Sequence, residues 1–121
     1  MLFQMELSIL LSYLPTFIGI TFDIIILIFA IFILKRNSYR YGIFLMLFAI
    51  FSLLHHAIYI AVGYPDLHYR LVVQLGLDYA AANMIMISIS LVFVAINVTS
   101  TVFLIVAIIQ IYKTHQRATV V

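Results

Sequence analysis

The 121-residue chain contains no cysteine. It can therefore form no disulfide, thiolate metal site, iron–sulfur cluster or lipidated terminal cysteine. Charge is nearly missing as well, because Asp, Glu, Lys and Arg together make up only 8% of the residues. The sequence has no Gly-rich phosphate loop, no nucleophile elbow and no paired-histidine metalloprotease helix. Gly42, Gly63 and Gly76 each stand alone. The polar connections are too short to build a substrate pocket. These absences argue against an enzyme that works by itself. They also argue against a nucleic-acid binder, since the few basic residues have no fold or aromatic platform to support that role.

What the chain has instead is apolar surface, with 67% of its residues hydrophobic. A soluble domain of this length has too little interior to hide so much. The composition is that of an all-α integral membrane protein with almost no mass outside the bilayer. Three spans are predicted at about 10–34, 41–62 and 83–112, each meeting the ~20 apolar residues that a helix needs to cross. Period-two alternation is missing, so the spans are helices that satisfy their own backbone in lipid. The third is longer than the hydrocarbon requires and should tilt or project. Residues 1–121 are expected to form a single three-helix transmembrane domain, with no internal repeat or low-complexity linker.

The six-residue connection from Lys35 to Arg40 makes the first two spans an antiparallel hairpin. The second connection opens with the turn signal Gly63-Tyr64-Pro65-Asp66. Asp66 can cap a following helix in which Leu67, Leu71 and Leu75 recur at helical spacing, so a short interfacial helix is expected at 67–79. Gly76 hints at a break before the third span. Tyr13, Tyr39, Tyr41, Tyr59, Tyr64, Tyr69, Tyr79 and Tyr112 all fall near span ends, as interfacial anchors do.

The basic residues are sorted. Lys35, Arg36 and Arg40 lie in the first connection and Lys113 and Arg117 follow the third span. Arg70 stands alone on the opposite side with Glu6, Asp66 and Asp78. A multi-pass protein of the cell membrane with its N-terminus outside and its C-terminus cytoplasmic obeys the positive-inside rule on both counts. The basic clusters then face lipid headgroups. The first span begins with Glu6 rather than Lys or Arg and lacks a cleavage-site pattern, so it is expected to remain in the mature protein.

One carboxylate stands out. Asp23 lies inside the apolar run from Ile18 to Leu34. An acid at such depth costs about 2.5–3.5 kcal/mol on insertion scales and is rarely left without a partner. At 1.5 Å per residue it sits roughly 18 Å from the cytoplasmic end of its helix, with His55 and His56 at roughly 20 Å and Asn97 at roughly 22 Å on theirs. Three antiparallel helices thus bring their most polar groups to one level. Thr16, Gly19 and Asp23 share a stripe of the first helix. Ser52, one of the two histidines and Tyr59 share a stripe of the second. Asn83, Ser90, Asn97 and Ser100 or Thr101 share a stripe of the third, the pattern of helices joined through small and hydrogen-bonding residues.

Asp23, His55, His56 and Asn97 are therefore the expected intramembrane network, and three readings of it compete. It can be structural glue that sets helix register. It can be a proton relay or ion site, because a carboxyl and an imidazole placed together share a proton and titrate as a pair. It can also hold a cofactor or metal, since imidazole binds haem iron, copper and zinc. His55 and His56 are weak metal candidates. Neighbouring helical residues point about 100° apart, so the two cannot grip one ion together. A haem, copper or quinone site would need a subunit interface. His68 and His115 fall outside the spans and are expected to be solvated or interfacial.

The leading expectation is an accessory, structural subunit of a larger energy-converting or oxidoreductase membrane complex, and in that sense a component of electron transport. Its partners would be other membrane subunits and lipid. The alternative is a small proton- or ion-conducting module, or a subunit that lends a histidine to a cofactor.

Overall fold

The computed structural model describes residues 2–37 and 39–119. The described residues are almost wholly helical: α1 spans Leu2–Asn37, α2 Tyr41–Val62, α3 Tyr64–Tyr69 and α4 Tyr79–Thr119. A single wide π-helical turn, Arg70–Gln74, extends α3. Three of these stretches are long and apolar enough to cross a membrane, which makes the chain a multi-pass, all-α membrane protein of the expected kind. The helices run past the expected span ends. α4 has 41 residues, or about 62 Å of helix, against a hydrocarbon core of about 30 Å. Nothing in its sequence breaks the helix at the headgroup level, so it continues beyond. Pro15 lies within α1, where its missing N–H removes one backbone hydrogen bond.

The long helices form one open layer. α2 packs against α1 on one side and α4 on the other, while the described residues of α1 and α4 do not meet. α3 lies across the far end and touches all three. Small residues let the helices approach, with Ala30, Ala49, Ala82 and Ala107 fully buried. No large side chain is fully buried among the described residues, and most of the apolar surface of α1 and α4 faces outward. That is the inside-out balance that lipid permits.

The segment between α2 and α4 is a separate short helix, as expected, but it begins earlier than residue 67 and ends at Gln74 rather than 79, where α4 has already begun. Gly63 ends α2 at φ 61°, in the left-handed region, and Tyr64-Pro65 start the next helix at once. Asp66 is consequently inside the first turn of α3 and not its cap. It pairs instead with Arg70 Nε at 3.5 Å, one turn along. The Arg70 guanidinium also donates to the carbonyls of Val62 and Gly63 at the end of α2, the second of which also accepts the Asp66 N–H. The helical cap in this region belongs to Asp78. Its Oδ1 accepts the Ala81 N–H at 2.8 Å and its carbonyl accepts the Ala82 N–H, opening α4. His68, expected to be solvated or interfacial, sits under this corner with its Nε2 3.1 Å from Asn83 Oδ1 and its ring against Tyr79.

A side chain at position 63 would occupy the space taken by the Arg70 guanidinium and the Asp66 carboxylate. Gly63→Ala loses about 1–2 kcal/mol from the left-handed backbone alone and also displaces Arg70. Its thermal unfolding midpoint in detergent is expected to fall below that of wild type. A Gly63→Ala protein unfolding at the wild-type temperature would contradict this account of the corner.

Candidate functional site

Asp23 is the most deeply placed charged residue type in the described chain, 4% exposed on the α2-facing side of α1. It shares that side with Thr16 and Ala30, each seven residues away and each buried. The facing stripe of α2 carries Ser52 and His56 one turn apart. Ser52 Oγ donates to Asp23 Oδ2 at 2.7 Å. His56 Nε2 lies 3.3 Å from the same oxygen. One carboxyl oxygen thus gathers a hydroxyl and an imidazole from the neighbouring helix.

The ring reaches Asp23 because residue 19, one turn before it, is glycine. A Cβ there would stand 2.7 Å from His56 Nε2 and 2.8 Å from Cε1, closer than atoms approach. Gly19 is therefore the space into which the imidazole fits. The expected association of Gly19, Asp23, Ser52 and a histidine is met by His56.

His55 points elsewhere, as the 100° step between helical neighbours requires. Its ring meets Phe93 of α4 edge to face, with centroids 4.8 Å apart. Tyr59 and Tyr64 close around the same phenylalanine. Tyr13 of α1 meets Tyr59 at 6.0 Å, and Tyr64 Oη lies 3.0 Å from Ser90 Oγ. Three tyrosines expected to be interfacial anchors are thus turned inward around His55. Tyr69, Tyr79 and Tyr112 remain exposed, as anchors would be.

Asn97 does not join the network. Its side chain is exposed and has no hydrogen-bond partner among the described residues. The seam of α4 against α2 runs through Phe93, Ser100 and Ala107 at seven-residue steps, with Ile96 and Phe103 between them and Ile89 before them. Asn83, Ser90 and Asn97 also recur every seven residues, but one position past that seam. α3 covers the first two, through His68 and Tyr64. It does not extend as far as Asn97. The seam's own polar residue is Ser100, 4% exposed, whose Oγ lies 3.5 Å from the Phe48 carbonyl of α2.

The polar groups occupy one half of the layer. From Asp23 toward α3 run His56, His55, Tyr59, Tyr13 and Tyr64. From Asp23 toward the α1–α2 hairpin, α1 offers only apolar residues until Lys35. Phe44 and Phe51 of α2 close on Phe103 of α4 in that half. The arrangement joins two helices and can hold a proton between acid and imidazole, but it does not continue across the layer. Among the described residues no group of three His, Asp or Glu side chains converges on a point where it could hold a metal ion. The side chain of Arg117, placed by sequence in the second basic cluster, lies outside the described residues. Comparison with protein-family models, with curated proteins and with solved structures finds no match to this chain.

Gly19→Ala should push His56 off the carboxyl group and lower stability by about 0.6–2 kcal/mol, the range of polar contacts between membrane helices. On a His56→Ala background the same change should be neutral or stabilising, because space has opened and alanine is the better helix former by about 1 kcal/mol. Unfolding titrations of the four proteins in mixed micelles check this. Equal effects on both backgrounds would show that Gly19 does not serve His56.

Proposed function

We propose that the chain is an accessory, structural subunit of a larger membrane assembly and is not an enzyme by itself. The observation that carries this reading is the open single layer. α2 is covered on both sides, whereas α1 and α4 each keep a whole face unpaired, and α4 sets an unsatisfied amide, Asn97, at mid-depth on its face. Lipid offers that amide no hydrogen bond, and other membrane subunits do. The polar core agrees with the same role. Asp23 is already matched by Ser52 and His56, which suits a clamp that holds α1 and α2 in register.

The chain sits in the cell membrane with its N-terminus outside and its C-terminus cytoplasmic. The support is that Lys35, Arg36 and Arg40 at the hairpin and Lys113 near the end of α4 are exposed at one end of the layer. The proton-conducting alternative has less support, because the half of the layer beside the hairpin is apolar and aromatic. A cofactor would have to be shared with a partner chain.

Native mass spectrometry of the protein extracted from its own membrane tests this. The chain is expected to appear with other subunits. Asp23→Asn, whose amide still bonds Ser52, is expected to co-purify with the same partners at near wild-type yield, and Asp23→Leu at clearly lower yield. A wild-type chain recovered alone would overturn the proposal.

A further inference from the structure

We infer that α4 meets α4 of a second copy of this chain through Asn97. The inference rests on the reading of the chain as part of an assembly and names one of its contacts. Ser12, Thr21, Ser88, Thr99 and Thr101 each donate the side-chain hydroxyl to the carbonyl four residues back, so their polar demand is met inside their own helices. A carboxamide has two donors and a two-lone-pair acceptor, and Asn97 has no such outlet.

Two features select a second copy over a foreign chain. A carboxamide is its own complement, since the N–H of one can donate to the oxygen of the other in both directions. Depth is also matched without adjustment. All copies insert with the same orientation, so a two-fold axis along the membrane normal that brings α4 to α4 places the two amides at one level. The residues around Asn97 suit such a seam. Val94, Asn97, Thr101 and Ile108 are exposed and follow one another at steps of three, four and seven, the spacing of a left-handed helix pair. This stripe lies beside the α2-facing seam and does not overlap it. Each copy therefore keeps its own layer intact, and the pair extends that layer from three long helices to six.

The chain has no cysteine, so single cysteines can report the contact directly in intact membranes. Val94→Cys and Thr101→Cys should each give an oxidised band at twice the chain mass. Val92→Cys, about 140° away around the helix, should not. Adding Asn97→Leu to Val94→Cys should lower the dimer association constant by about 3- to 30-fold, as loss of one interhelical polar contact predicts. Asn97→Gln should preserve the dimer. Because Asn97 is exposed within one copy, the Asn97→Leu protein diluted to single chains should unfold like wild type diluted likewise, which separates lost contact from lost fold. The inference is overturned if Val92→Cys crosslinks as well as Val94→Cys, if Asn97→Leu leaves the dimer unchanged, or if Val94→Cys bonds a chain of different mass. Native mass spectrometry then separates the two proposals. An assembly holding one copy overturns the pair but keeps the subunit reading. A bare homodimer keeps the pair and overturns the larger assembly.

Discussion

A carboxyl group in hydrocarbon has to be matched from within the protein, and the way Asp23 is matched organises the rest of this molecule. Ser52 and His56 both approach one oxygen of Asp23 from the next helix. That convergence holds only if α1 and α2 keep one register, because a shift of either helix by one residue rotates a partner by about 100°. Gly19 adds a steric condition to the electrostatic one, since it is the floor on which the imidazole lies. Thr16 and Ala30, a heptad away on either side, continue the same close seam. A polar contact worth little in energy thus specifies the arrangement of two long apolar helices that would otherwise slide with little penalty.

The adjacent histidines divide the labour of α2. His56 serves α1, and His55, one step around the helix, lies against Phe93 of α4. α2 becomes the middle of the layer because both of its faces carry specific contacts: acid, hydroxyl and imidazole on one, aromatic rings on the other. α3 then locks the far end, with Tyr64 reaching Ser90 and His68 reaching Asn83. The opposite end is closed by phenylalanines and alanines, which pack closely but carry no proton.

Much of this was legible in the residues. Long apolar runs, a six-residue connection and the turn at Gly63-Tyr64-Pro65-Asp66 were enough for three spans, a hairpin and a short additional helix. Asp23 announced its need for a partner by depth alone, and helical spacing placed Ser52 and a histidine opposite it. The misplaced residues have physical reasons. Asn83, Ser90 and Asn97 repeat as faithfully as the true seam and differ from it by one position, and sequence spacing gives a period without an absolute rotation. The partners of α3 then hid two members of that stripe and left the third bare. Asp66 resembled a cap, but with proline beside it the helix starts three residues sooner. The inward turn of Tyr13, Tyr59 and Tyr64 left no sequence mark, because an interfacial tyrosine and one lining a helix junction occur at the same depth.

The account stands on the meeting of Asp23 with His56, and solid-state nuclear magnetic resonance in lipid bilayers measures it directly. With carbon-13 in the aspartate carboxyl groups and nitrogen-15 in the histidine rings, the account predicts dipolar dephasing of the Asp23 carboxyl carbon by His56 Nε2, as expected for a nitrogen 3.3 Å from its oxygen. The dephasing should vanish in His56→Ala and persist in His55→Ala. A carboxyl carbon that shows none in the wild-type protein, or loses it with His55 and not with His56, would contradict the account.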